Sequence, residues 1–322
     1  MEPLRHTPKV TVLMTVFNGS QYLKKAVDSV LSQTFEDFEF LIIDDCSIDN
    51  SVEIIKSYTD VRIQLIKNEN NLGQTASLNM GLKFSKGEYI ARIDQDDVSM
   101  PDRLKKQVKF LNNNLNVVAV GSFFTIIGSD GNSLLNKKLP VGSDSNLFYI
   151  ITGHNPLIHP GVLFRKKVIV ELGCYREEYM PSEDIDLWLR LYQNSYVCDN
   201  IPEYLTCIRR HTAQVSINNL DEQNNNHTKA FYNFYTEVTK CIIDYHKIEQ
   251  YFNVSVWRTE KVNLKNIKNI ITVSLNLFKR LKWSNKRNNS TLLKFYNIRL
   301  FQLFGLIKLG LRSNIYSIIR SK

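Results

Sequence analysis

The sequence predicts an α/β fold: a mostly parallel sheet with helices on both faces, followed by a helical tail. Three observations predict it. Strand-like and helix-like segments alternate through the first 120 residues. The strand-like segments are continuously apolar rather than alternating, so both faces of the sheet are covered. Acidic residues gather where the apolar runs end, at the sheet edge where open α/β folds bind ligands.

Val10 to Phe17 reads as a buried strand, closed by an Asn18-Gly19 turn. Tyr22 to Ser32 reads as a helix with Leu23, Ala26, Val27, Val30 and Leu31 on one face. Phe38 to Ile43 is a second apolar strand, Ser51 to Tyr58 a short helix and Ile63 to Ile66 a third strand. A helix from Thr75 to Phe84 follows the Asn71-Leu72-Gly73 loop. Tyr89 to Ile93 is the fourth strand, and Pro101 suits the first turn of a helix reaching about Asn112. Val117 to Val120 is expected as a fifth strand. After residue 121 the pattern changes. Phe123 to Ile127, the Ser129-Asp130-Gly131 turn and Ser133 to Leu139 read as an antiparallel excursion. A loop over Asn155 to Pro160, a strand at Val162 to Phe164, a helix from about Ser182 to Asn194 and a strand near Tyr204 to Arg209 complete the pattern. From about Asp221 the chain reads as helical to its end.

The 322 residues are 43% hydrophobic, enough for one large core and against disorder. Five cysteines, at 46, 174, 198, 207 and 241, form no Cys-x-x-Cys pair. That argues against a disulfide framework or a zinc site and for a reducing compartment. The first residues lack the apolar core of a signal peptide, and no run of about 18 apolar residues would span a membrane. The formal net charge of +9 is unevenly spread. Residues 261–322 hold 14 of the 41 Lys and Arg and no acid, leaving 27 basic against 32 acidic residues in the rest. A mildly acidic body thus carries a strongly basic tail.

The acids suggest chemistry. Asp94, Asp96 and Asp97 end the fourth strand, and three carboxylates in four residues repel one another unless a cation joins them. Oxygen-rich sites suit Mg2+ or Mn2+. Asp94 and Asp96, two apart in extended chain, share one side and can address one metal. Asp97 is expected to point elsewhere and cap the helix near Pro101. Asp44-Asp45 ends the second strand, where a carboxylate can accept from a ring N–H or a ribose hydroxyl, or serve a turn. The first loop, Phe17-Asn18-Gly19-Ser20, has no G-x-G-x-x-G pattern, which argues against a Rossmann NAD or FAD site. Glu183-Asp184 opens a helix in which Leu187, Trp188 and Leu191 can pack inward. Its acids fit either the helix dipole or a general base. His211 follows two arginines, and its bland reading is a surface or core histidine.

Together these segments resemble something specific. Thr11 to Asn18, the helix end Ser32-Gln33-Thr34-Phe35, Ile42-Ile43-Asp44-Asp45, Gly87-Glu88-Tyr89-Ile90, Asp94-Gln95-Asp96-Asp97, Pro101-Asp102-Arg103-Leu104 and Glu183-Asp184 are similar, in order and spacing, to family-2 glycosyltransferases of the GT-A fold. The resemblance covers roughly residues 8–216. It implies a nucleotide-sugar donor, usually a UDP-sugar, a divalent metal (Mn2+ or Mg2+) and inversion at the anomeric carbon. It makes 1–120 the nucleotide-sugar-binding half and 121–220 the acceptor half of a catalytic domain spanning 1–220, with 221–322 as the tail. Position by position, Thr15 and Asp45 match residues that hold the base, with Phe17 beside that pocket. Asn71 is similar to a base or ribose contact. Asp94 matches the acid that meets ribose or metal-bound water, and Asp96 the direct metal ligand. His211, within His-x-x-x-x-Ser216, is similar to a late histidine that completes the metal or diphosphate site. Asp184 matches the catalytic base, with Glu183 and Trp188 on the acceptor side. One departure stands out: the family often shows Ala-Arg-Asn where this chain has Ser77-Leu78-Asn79, so a basic group near the donor is missing.

In the tail, Ile267, Ile270, Ile271, Leu277, Phe278 and Leu281 recur at helical spacing with Lys265, Lys268, Lys279 and Lys282 largely off that stripe. This pattern predicts amphipathic helices on an anionic leaflet rather than a nucleic-acid contact. The rival reading is an appendage packed on the catalytic domain or on a second subunit, making the tail a route to oligomers. The resulting expectation is a cytoplasmic enzyme, peripheral on the inner face of the cell membrane, with a lipid-linked saccharide acceptor in bacterial polysaccharide assembly. Its rivals are a sugar-1-phosphate nucleotidyltransferase, which should carry a glycine-rich basic first loop, and a non-catalytic sugar-binding scaffold of the same fold.

Overall fold

The computed structural model describes residues 7–212, 214, 219–239 and 244–255. In chain order the elements are β1 (Val10–Val16), α1 (Ser20–Leu31), β2 (Phe38–Asp44), α2 (Ser51–Lys56), β3 (Ile63–Lys67), α3 (Gln74–Phe84), β4 (Tyr89–Arg92), β5 (Val98–Ser99), α4 (Arg103–Asn113), β6 (Val117–Ile127), β7 (Ser133–Lys137), α5 (Ser143–Ile151), β8 (Leu163–Arg165), α6 (Lys166–Glu171), α7 (Glu183–Gln193), β9 (Val197–Arg209), α8 (Leu220–Thr239) and α9 (Tyr245–Ser255).

The strands form one sheet in the order β3-β2-β1-β4-β8-β6-β9-β5, with β7 paired to β6. The half from β3 to β4 is parallel, Val10 standing opposite both Phe38 and Tyr89. All four carboxyl ends therefore lie along one edge. Every residue of β1 and β2 is buried, as continuous apolar runs require. Alternate residues feed two cores. Val10, Val12, Met14 and Val16 join Leu23, Ala26, Val27 and Val30 of α1 on one face. Leu13 joins Leu78 and Leu82 of α3 and Leu187, Trp188 and Leu191 of α7 on the other. Ala230, Phe231, Phe234 and Tyr235 of α8 belong to that second core, so the described start of the expected tail packs inward.

One expectation needs correction. Val117 to Val120 was expected as a fifth strand of the mostly parallel sheet. It instead opens the longer β6, and β8 inserts antiparallel between β4 and β6. Such a pairing between distant segments leaves no local pattern in the sequence. α5 was not foreseen. The stripe from Ile267 to Leu281 lies outside the described residues, as does Ser216. No helix among the described residues is long and apolar enough to cross a membrane. Cys46, Cys174, Cys198 and Cys207 are free thiols.

Candidate active site

The parallel edge collects the candidate donor residues. Four successive backbone N–H groups lead into α1, and side chains occupy all of them. Phe17 N–H donates to Gln95 Oε1 (2.9 Å), Asn18 to Ser47 Oγ (3.0 Å), Gly19 to Ser51 Oγ (2.9 Å) and Ser20 to Asp49 Oδ2 (2.9 Å). Asn18 adopts a φ of 48° and accepts from Ile48 N–H through its side chain (2.9 Å). The helix start that would cradle a dinucleotide phosphate is thus already filled, consistent with the absent glycine pattern. Thr15 is buried beside it and Phe17 is exposed.

Asp45 is 3% exposed, and its carboxylate works as a hub. Oδ1 accepts from Asn68 Nδ2 (2.7 Å) and Leu72 N–H (2.9 Å), and Oδ2 from Gly73 N–H (2.8 Å). It therefore holds the Asn71–Gly73 loop in place beside the end of β2. Asn71 is exposed, its Oδ1 accepting from Gly73 N–H (3.1 Å). Leu78, where the family often has arginine, is fully buried in the core. Asn79 instead clamps Tyr175 through paired bonds to its carbonyl (2.9 Å) and N–H (3.0 Å).

The acidic loop lies next along the edge. Ligand atoms of Asp94, Asp96 and Asp97 lie within 4.8 Å of one another. His211 Nε2 stands 2.8 Å from Asp96 Oδ2, so β9 returns the late histidine to the loop. Burial, then the charge of Asp94, raises the Asp96 carboxyl above its usual range, while His211 opposes the shift. Burial and both neighbouring acids push Asp97 well up. Three mutually repelling oxygens with a ring nitrogen beside them fit a hard divalent cation, which relieves that repulsion.

Asp97 corrects an expectation. It caps no helix; it is 2% exposed and accepts from Arg209 N–H (2.8 Å). The Arg209 guanidinium, also buried, donates to the carbonyls of Asp96 (2.8 Å) and Gly128 (2.9 Å) and lies 4.7 Å from the Tyr22 ring. β9 thereby fixes the loop from below. Sequence reasoning missed this arginine, and Arg92 as well. Arg92 is fully buried and ion-paired to Asp94. The signal was present: Arg92 stands two residues before Asp94 and so shares its side of the strand.

Glu183 and Asp184 open α7. Burial, then the charge of Asp184, pushes Glu183 up to about 7. Burial also raises Asp184, opposed by the amide of Asn155, which donates to Asp184 Oδ2 (2.6 Å). Asp94 acts electrostatically on both acids, which ties α7 to the acidic loop. Trp188 corrects a second expectation. It is 0% exposed and packs edge-on to His159, with ring centroids 6.3 Å apart, so it belongs to the core and not to an acceptor surface. At helical spacing it lies about a turn from Asp184, on the inward stripe with Leu187 and Leu191.

Comparison with known proteins identifies the family and the fold. The family model for glycosyl transferase family 2 matches residues 11–173, about half of the chain. An uncharacterized glycosyltransferase of Methanocaldococcus jannaschii is 36% identical over 202 residues, covering 62% of this chain and 69% of its own. The O-antigen biosynthesis glycosyltransferase WbnJ of Escherichia coli is 34% identical over 217 residues, covering 65% and 82%. Among solved structures, S. aureus TarS 1-349 in complex with UDP-GlcNAc superposes with a TM-score of 0.59 at 17% identity, over 83% of this chain and 81% of that one. The mannosyltransferase PcManGT of Pyrobaculum calidifontis, in complex with GDP-Man and Mn2+, gives 0.55 at 13% identity, over 97% and 88%. These superpositions show the GT-A fold. The chain belongs to glycosyl transferase family 2.

Proposed function

We propose that this glycosyltransferase is metal-dependent and inverting, and moves a sugar from a nucleotide-sugar donor, a UDP-sugar by preference, to a hydroxyl of a lipid-linked saccharide in bacterial surface-polysaccharide assembly. The observation that carries the reading is the cluster of Asp94, Asp96 and Asp97, with His211 on Asp96, at the carboxyl edge of the parallel strands. Similar proteins support it: one acts in O-antigen biosynthesis, one structure holds UDP-GlcNAc, another GDP-Man with Mn2+.

In this reading Asp96, with Asp94 and His211, holds the cation. When bound, the cation neutralises the charge that develops on the departing nucleoside diphosphate. Thr15, Phe17 and the loop organised by Asp45 form the base pocket. Arg92, ion-paired to Asp94, fixes its position. Asp184 takes the acceptor hydroxyl proton as the new C–O bond forms on the face opposite the leaving oxygen, so one displacement inverts the anomeric centre.

Titration calorimetry of UDP, GDP, CDP and ADP with and without Mn2+ tests the donor site. UDP is expected to bind only with metal, and Asp96→Ala to lose that binding. No nucleotide binding under any condition would turn the reading toward a non-catalytic sugar-binding protein. Asp184→Asn is expected to keep UDP binding and lose transfer by roughly 100-fold or more. Normal turnover by that variant would remove Asp184 from the role of base.

A further inference from the structure

Resting on the reading of Asp184 as the base, we propose that Asn155 is its positioning residue, holding one carboxylate oxygen so that the acceptor hydroxyl meets a fixed, ionised lone pair. Asp184 Oδ2 accepts from Asn155 Nδ2 at 2.6 Å, and Oδ1 accepts from the N–H of Ile185 at 2.8 Å. One donor on each oxygen stops rotation of the carboxylate plane. The amide orientation follows from its own network. Asn155 Oδ1 accepts from Leu157 N–H (3.2 Å), which turns Nδ2 toward Asp184. The loop is anchored on both sides. Pro156 follows Asn155 and restricts it to extended backbone. The Pro156 carbonyl accepts from Asn200 Nδ2 (2.9 Å), and Leu157 is 1% exposed in the core. The donor is therefore presented by a rigid segment far away in sequence, 29 residues before the acid it serves.

The electrostatics agree. Burial raises the Asp184 carboxyl, and the Asn155 amide is the leading influence that lowers it again. The other titratable groups that reach Asp184 are Glu183 on its own helix, Asp94 on the loop after β4, and Tyr175 from the turn before α7. Arg92 acts on Glu183 and Tyr175. Asp94 makes the ionised form harder to keep, which gives the Asn155 bond its importance.

Asn155→Ser separates the two tasks of the side chain. Serine keeps the turn at Leu157 but is too short to reach Asp184. Asn155→Asp also keeps the turn and sets a like charge against the base. Both are compared, in the full chain, with wild type and Asp184→Asn. The first readout needs no substrate: carboxyl infrared titration of metal-free protein, taken as the difference from the same protein carrying Asp184→Asn. Asn155→Ser is expected to raise the Asp184 midpoint by about one pH unit. The second readout is nucleoside diphosphate release from UDP-GlcNAc, UDP-glucose, UDP-galactose and GDP-mannose with Mn2+. Both variants are expected to lose about 10- to 100-fold in turnover while Mn2+-dependent UDP affinity stays the same, and their acid limb to move up in pH. An unmoved midpoint in Asn155→Ser, or turnover within about twofold of wild type in both variants, overturns the proposal and leaves Asn155 a turn residue. Equal turnover by wild type and Asp184→Asn would instead overturn the base assignment, and the infrared midpoint would still decide the contact between the two side chains.

Discussion

Glu183 and Asp184 are neighbours with different surroundings. Asp184 has two donors on its oxygens, whereas burial dominates Glu183 and lifts it from 4.5 to about 7. Between those values the folded protein keeps a proton that the unfolded chain has released. Stability therefore falls as pH rises through that window and levels off above about 7, by up to about 3 kcal/mol. Glu183→Gln is expected to flatten this decline. Thermal unfolding of metal-free protein at pH 5 and pH 8 checks it; an identical pH dependence in the variant would show that Glu183 is not the titrating group. At this scale the sequence revealed acids better than the cations that hold them. Asp94, Asp96, Asp184 and His211 stand out because polar residues interrupt apolar runs. Arg92, Arg103 and Arg209 are almost fully buried, and a pattern reader assigns arginine to the surface by default. Trp188 was misplaced because standing one helical turn from Asp184 also puts it on the stripe with Leu187 and Leu191 that packs into the core.

β4 pairs with β1 along its whole length, and the approach to that pairing passes through Gly87. Its N–H donates to Thr11 Oγ1 (2.9 Å), and a Cβ built at Gly87 would lie 2.3 Å from Thr11 N and 2.6 Å from Val10 C. Backbone cannot move aside as a flexible side-chain tip can. Gly87→Ala is therefore expected to cost about 1–3 kcal/mol, although alanine reduces the entropy of the unfolded chain. Urea unfolding measures it, and a stabilised variant would contradict the close approach. The strand itself was legible, since Tyr89 to Ile93 is apolar and ends in acids. Its second neighbour was not. β8 supplies only Leu163–Arg165, pairs antiparallel and comes from more than 70 residues away, so nothing local announces it. α5 was missed for a related reason: Ser143–Ile151 is short, and its partners are the distant β9 and α7.

Charge is segregated along the molecule. The first 260 residues hold 27 basic and 32 acidic side chains, and the last 62 hold 14 basic and none acidic. An anionic bilayer repels the first part and attracts the second. Near such a surface each Lys or Arg contributes about 1 kcal/mol, screened within a Debye length of about 10 Å at 0.1 M salt. Under the proposed lipid-linked acceptor, even a fraction of the 14 cations would suffice to hold the enzyme at that surface. Flotation of the full chain is expected with vesicles containing phosphatidylglycerol and not with neutral phosphatidylcholine, and to fall as salt rises. Replacing Lys279, Arg280, Lys282, Lys286 and Arg287 by glutamine should weaken flotation while leaving Mn2+-dependent UDP binding intact, because the candidate donor site lies on the parallel edge of the sheet. Flotation with neither vesicle would refute the membrane reading, and the basic segment would then find its anionic surface on the acidic body or on a second copy of the chain. A shift in sedimentation coefficient with protein concentration distinguishes these two.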